Sequence, residues 1–306
     1  MYNEELKQRY IREKRETTII GLNFLERQFI NVAGYEEELG KDLSNFTTPE
    51  IIEYYKILGS RSLESLIVIN SQYSMYTQWC LQQNLVLDSQ NHYLEMNNDI
   101  LLQCLNQTII DKSIVTREEF LDLIHQLPNY RDQFIFLYLF EVGKDKDFFS
   151  LTHCKLEDFD KEKKVLYLTG RTPKVSDELI RIAEEADKQD TYYSITQKEI
   201  RKITFAENGY IIKDIPPAKP EEISDFRRGR RVYTAIVRNL EYLGVGKCHT
   251  ARTIINSGII QMIYKRSAEL NVSREEYIRK YTSEIKEQYN VSLVVPTFLK
   301  KYEKYL

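Results

Sequence analysis

His249 and Arg252 stand three residues apart where a basic segment gives way to an apolar one. A guanidinium can grip a phosphate through paired charge-assisted hydrogen bonds, and an imidazole can handle a proton beside it. The tetrapeptide His249-Thr250-Ala251-Arg252 is weak alone, because such a pattern arises often by chance. Its surroundings give it weight. From Ser224 to Arg252 seven basic residues (Arg227, Arg228, Arg230, Arg231, Arg238, Lys247, Arg252) face two acidic ones, Asp225 and Glu241. A local excess of +5 can make a positive face on a chain whose net charge is −3. The densest part is Phe226-Arg227-Arg228-Gly229-Arg230-Arg231, where a glycine among arginines would let the chain approach a phosphate backbone closely. Cations in a first helical turn after Ser224 oppose the helix dipole, and that cost favours contact over a merely solvated face.

A second basic group, Lys164, Arg171 and Lys174, surrounds a short strand and turn. Arg171-Thr172-Pro173-Lys174 can reach a minor groove, and a plain charged turn is the equal alternative. For Arg252 the alternative to a phosphate is an internal salt bridge. For His249 it is a packing role with one donated hydrogen bond. Eight of the 22 tyrosines fall in the last 75 residues. An exposed tyrosine can bond a phosphate or stack on a base, though most serve as core-edge residues.

Composition narrows the classes. At 306 residues the chain can hold two domains with real cores. Cys80, Cys104, Cys154 and Cys248 are scattered with no C-x-x-C pair, so neither a zinc site, a redox pair nor any other cofactor is expected. No run of 18 apolar residues exists, and the charged start Met1-Tyr2-Asn3-Glu4-Glu5 lacks the apolar stretch of a signal peptide. No membrane partner is expected, and the location expected is cytoplasmic.

The elements that must position these residues are mainly helical. Residues 2–15 read as an amphipathic arm. Thr48-Pro49-Glu50 predicts a helix start with Thr48 as its cap, ending near Gly59. Ser60-Arg61-Ser62 restarts a longer helix through Leu66, Ile69, Tyr73, Tyr76 and Leu81, and residues 97–106 give a short one. Residues 106–115 read as a linker. Thr116-Arg117-Glu118-Glu119 is a capping box, and Pro128 stops the helix it opens. The stretch from Arg131 to Glu141 is apolar nearly all round, which predicts a buried helix closed by Gly143. Strands follow at Val165–Leu168, and at Lys202–Phe205 and Tyr210–Ile212 across the turn signal Asn208-Gly209. Asp177–Ala186 is a helix, and Pro216, Pro217 and Pro220 mark a loop. Helices return from Ser224, with a second capping box at Ser273-Arg274-Glu275-Glu276.

This order and spacing resembles the tyrosine recombinase family, which includes phage integrases, over roughly residues 45–306. Thr116-Arg117-Glu118-Glu119-Phe120 is similar to the start of that family's catalytic domain. Leu156-Glu157-Asp158-Phe159-Asp160 is similar to its Asp-Ile-Asp segment. His249 and Arg252 match its second catalytic box, and Gly258 a glycine that commonly follows. Lys164, Arg171 and Lys174 fall where the family carries a catalytic lysine on a hairpin. The resemblance implies a mainly α fold with a small β-sheet, in two domains: a helical core-binding domain over 1–108 and a mixed α+β catalytic-like domain over 109–306.

The departures carry as much information. In the family, Gly-Leu-Arg-x-x-Glu follows the buried helix and supplies the first phosphate clamp; here the stretch reads Gly143-Lys144-Asp145-Lys146-Asp147, and no arginine occurs between Arg131 and Arg171. Lys144 or Lys146 can replace the charge but not the planar fork of arginine. No histidine follows His249, and the only tryptophan is Trp79, so the third box has no counterpart. Tyr281, Tyr289, Tyr302 and Tyr305 are candidates for the nucleophile, none in a recognisable motif. Losing one preorganised donor at a developing oxyanion costs on the order of 100-fold in rate.

The expectation is therefore a DNA-binding repressor of a temperate phage, nucleoid-associated in its bacterial host, without recombinase activity. Its partner would be double-stranded DNA at operator sites. Arg227, Arg228, Arg230, Arg231, Lys247, His249, Arg252, Arg171 and Lys174 are the expected contacts, and Arg61 and Gln78 are conceivable ones in the first domain. An active but divergent recombinase and a protein-interaction module stay open as alternatives. So do a homo-oligomer, through residues 1–20 or the last helix, and a regulatory protein or peptide.

Overall fold

Lys7 is buried, and much of the first part of the chain is arranged around it. The computed structural model describes residues 1–15, 22–87, 89–195, 200–216 and 224–306. They form two units, 1–110 and 111–306. In the first, α1 (Glu4–Arg15) is no loose arm, because Lys7, Tyr10 and Ile11 are all buried. The Lys7 ammonium lies 2.5 Å from both carboxylate oxygens of Glu36, on α2 (Leu22–Leu39), and 3.7 Å from Asp42. Glu36 also accepts the Leu43 N–H, and Asp42 accepts from Tyr76 and Asn3. Burial pushes the Glu36 carboxyl up to about 7, against the pull of Lys7. Around this polar knot pack the rings of Tyr10, Phe29, Tyr73 and Tyr76.

The described residues of this unit also form α3 (Thr48–Leu58), α4 (Leu63–Gln82) and α5 (Asn98–Gln103). The cap of α3 is Thr47, one residue before the expected Thr48. Glu50 reaches back to the Thr47 N–H at 2.7 Å, which sets Pro49 second in the helix. Gly59 ends α3 at φ 63°. The expected linker is partly helical: α6 (Gln107–Lys112) starts where Asn106 accepts the Ile109 N–H.

The second unit is built on α8 (Tyr130–Glu141), in which every residue from Arg131 to Phe140 is buried. Before it comes α7 (Arg117–Ile124), opened by the Thr116–Glu119 capping box. After it come α9 (Phe149–Thr152), the two-residue ladder β1 (Phe159–Asp160) with β2 (Val165–Leu166), and α10 (Asp177–Lys188). The second strand is shorter than expected, because Leu168 turns back to bridge Arg171. A hairpin pairs β3 (Thr191–Ile195) with β4 (Ile200–Thr204) in antiparallel register, Tyr193 opposite Lys202. It replaces the expected hairpin about Asn208-Gly209. There Asn208 spends its amide on Ile212 O and Asp214, leaving only an Ala206–Asp214 bridge. Pro217 and Pro220 lie outside the described residues.

Helices α11 (Asp225–Tyr242) and α12 (Ala251–Leu270) pack on this centre. Gly258 puts α12 against α8 so closely that a Cβ there would overlap the carbonyl of Phe140. Gly229 does the same for α11 and the Asp147 carbonyl. The chain ends in α13 (Arg274–Lys280), α14 (Thr282–Tyr289) and α15 (Val295–Lys301). Ser273 caps α13, but Glu276 does not complete the expected box; its carboxylate pairs with Lys280. No described helix is long and apolar enough to cross a membrane.

Two predictions follow from this packing. Lys7→Met should cost the first unit about 3–5 kcal/mol at neutral pH, because Glu36 is left buried without its cation. A carboxyl with a raised folded value binds its proton more tightly when folded. Its contribution is complete below 4.5 and is lost as pH rises through about 7. The deficit should therefore shrink at pH 5 in urea unfolding, and an equal deficit at both pH values would count against the assignment. Gly229→Ala should destabilise the second unit by about 1–3 kcal/mol through the forced contact with Asp147, and wild-type stability would refute that close packing.

Candidate nucleic-acid interface

The basic helix α11 sorts its arginines by environment. Ser224 caps it, accepting the Arg227 N–H at 3.4 Å, and its apolar face (Val232, Ala235, Ile236, Leu240) is buried. Arg227 and Arg230 are exposed. Arg228 turns inward, 3.4 Å from Asp214, with its guanidinium over the ring of Tyr210. Arg231 donates to Ile215 O at 3.0 Å. The glycine between them serves packing against Asp147 rather than an approach to phosphate.

The His-x-x-Arg pair splits in the same way. Thr250 caps α12 and accepts the Thr253 N–H, so Arg252 is the second residue of the first turn. Arg252 is exposed, whereas His249, just outside the helix, is buried at 6% exposure. A cation at a helix N-terminus is unfavourable by itself and favourable beside an anion held by the same turn. The structure supplies a hollow there. Arg252, Lys144, Lys146 and Asp145 line a cavity of about 330 Å³ together with Asn290, Val291 and Ser292. Asp145 is partly spent, since it accepts both the N–H and the hydroxyl of Ser150. Lysines thus stand on the loop where the resemblance calls for an arginine.

That loop is bent in a way the sequence did not announce. Asp147 and Phe148 are consecutive non-glycine residues with left-handed φ, 55° and 57°. Lys247 is exposed on the turn before α12.

The 165–175 turn is tied down by α14. Arg171 donates to Val142 O and Gln288 O, both at 2.8 Å. Gln288 also donates to Glu141 O and Lys174 O, and Glu287 accepts the Thr172 N–H. Lys174 itself is exposed, and Lys164 pairs with Asp177 at 2.6 Å. Gln288 was missed in the sequence; a polar residue one position before a buried tyrosine gives no signal of its own.

The candidate nucleophiles are largely packed away. Tyr289 is buried, and burial holds its phenol well above the ordinary range. The Tyr302 hydroxyl accepts from Asn256 at 2.6 Å, and the Tyr305 hydroxyl donates to Asp111 O. Tyr281 is half-exposed and stacks on Tyr277. In the first unit Arg61 is half-buried and Gln78 is exposed on α4. Among the described residues no cluster has the ligands for a metal ion.

Comparison with known proteins agrees with this architecture. Residues 1–82 match the family model described as "MrpR, N-terminal core-binding domain", and residues 114–304 match "MrpR, C-terminal catalytic domain". The SPbeta prophage-derived uncharacterized protein YopR of Bacillus subtilis strain 168 is 23% identical over 320 residues, covering 99% of this chain and 95% of its own length. With a core-binding domain followed by a domain of the recombinase catalytic type, the chain belongs to the MrpR family.

Proposed function

We propose that the protein is a sequence-specific DNA-binding repressor of a temperate phage, maintaining lysogeny in the host cytoplasm on a recombinase frame without strand exchange. One observation carries this reading. The cations that would hold a phosphate line one cavity (exposed Arg252 and Lys146 with half-buried Lys144), while three of the four candidate tyrosines are buried or have their hydroxyls committed within the protein. A phosphate can thus be gripped without a nucleophile beside it. The prophage origin of YopR supports a phage source, and the core-binding domain supports DNA as the partner.

In this reading Arg227, Arg230, Lys247, Arg252 and Lys174 meet the DNA backbone. Arg231 and Arg171 hold the main chain near them, Arg228 is tied to Asp214, and His249 is buried just before α12. The half-exposed Tyr281 gives the second reading, a divergent active recombinase, its one point of support.

Arg252→Ala should weaken operator binding by about 1.5–3 kcal/mol and reduce the salt slope by roughly one phosphate contact. Fluorescence anisotropy across a salt series, with melting temperature as a control for folding, measures both. Unchanged affinity in Arg252→Ala and in Arg230→Ala would sink the site assignment. On nicked DNA substrates carrying sites that the protein retains from fragmented phage DNA, no covalent protein–DNA adduct should form. An adduct on a denaturing gel that disappears in Tyr281→Phe would establish the recombinase instead.

A further inference from the structure

A second, deeper basic site lies on the inward side of α11. The segment Ile212–Pro216 and α11 from Arg227 to Arg238 border a cavity of about 630 Å³, which is the size of a small-ligand pocket. Six arginines line it (Arg131, Arg227, Arg228, Arg230, Arg231 and Arg238), and Asp214 is the one carboxylate among the described lining residues. Ile212, Ile215, Val232 and Ala235 supply an apolar wall.

The arginines are held in place before any ligand arrives. Arg131, only 4% exposed, donates to Asp132 and to Lys213 O. Its guanidinium and that of Arg238 each lie 5.8 Å from the ring of Tyr192. The Tyr192 hydroxyl donates to Asp132 and accepts from Arg238. Among the described residues, Arg131 is answered by the carboxylate of Asp132 and Arg228 by that of Asp214. Arg231 and Arg238 are oriented by a carbonyl and a phenol, which fix their geometry without neutralising them. The Arg228 Nε is buried with no hydrogen-bond acceptor among the described residues. A wall with at least two unneutralised, preorganised guanidinium groups and an orphan donor suits a compact polyanion.

We infer that this cavity binds a free small-molecule polyanion, a phosphate or pyrophosphate ester with an apolar or flat body, and that its occupant competes with DNA for α11. The competitive part rests on the reading of α11 as a DNA-contacting helix, since Arg227 and Arg230 belong to both surfaces. The apolar wall and the buried Arg131 favour a free ligand over the DNA backbone, which carries phosphate on a polar sugar chain and meets exposed cations.

The test is calorimetric titration of the full chain with pyrophosphate and with ADP at fixed ionic strength, beside DNA anisotropy in the same buffers. One saturable site is expected, with Kd on the order of 10 μM or tighter. It should weaken by about 10-fold in Arg238→Gln, which removes an exposed charge, and in Ala235→Phe, which fills the cavity. Saturating probe should weaken DNA binding by about 10-fold in the native protein, and in the two variants the DNA affinity should no longer respond to the probe. Absence of saturable binding up to about 5 mM, in protein that holds DNA, overturns this proposal alone. Variants that lose DNA and probe together would assign the cavity to DNA phosphate and overturn the free-ligand reading. Probe binding with the expected variant dependence, in protein that holds no DNA, would keep the cavity site and reject the competition and the repressor reading.

Discussion

Backbone-to-backbone contact between helices sets the geometry of the second unit. At Gly258, α12 presses on the carbonyl of Phe140; at Gly229, α11 presses on that of Asp147. Neither contact survives a Cβ, so each glycine fixes the distance of a cation-bearing helix from α8 and the turn that follows it. The buried face of α8 makes that reference rigid: ten consecutive buried residues, several of them aromatic, leave no direction in which it can slide. The first turn of α12, which carries Arg252, is thereby placed against the loop that carries Lys144 and Lys146.

Distant partners divide the arginines of α11. Arg228 and Arg231 find Asp214 and the Ile215 carbonyl, while Arg227 and Arg230 stay at the surface. The inward pair ties Ile212–Pro216 to the helix, and the outward pair is carried on a scaffold whose position is already fixed. Charge held this way loses little conformational entropy on meeting an anion, and that raises affinity more than the number of charges does.

Much of this was legible in the chain. The helix restart at Ser60-Arg61-Ser62, the capping residues Thr116 and Ser224 and the buried run of α8 follow from local chemistry, because each signal is contained within a few residues, whereas the two-domain order came from the family resemblance. Where the expectation failed, a distant partner decided. Asn208-Gly209 makes a turn, but Asn208 closes it on Asp214 and the ladder forms at Thr191–Ile195 instead. The first helix looked like a charged arm because nothing local says that Lys7 meets Glu36, 29 residues away. In the basic segment the composition revealed the field, but not which arginines point out. That depends on partners outside the helix, Asp214 for Arg228 and the Ile215 carbonyl for Arg231.

The departures from the recombinase pattern now have a physical order. Exchanging a clamp arginine for Lys144 or Lys146 keeps a positive charge at the first turn of α12 and discards the two-pronged geometry that a transition state needs. Burying Tyr289 and committing the Tyr302 and Tyr305 hydroxyls adds core contacts and removes reactive groups. The buried tyrosines thus contribute to packing, and the lysines keep the charge beside Arg252 without the two-pronged geometry of an arginine. The backbone contacts at Gly258 and Gly229 that set the helix approaches are made to main-chain carbonyls and not to the side chains that depart from the pattern, so the frame keeps its geometry whatever stands at those positions.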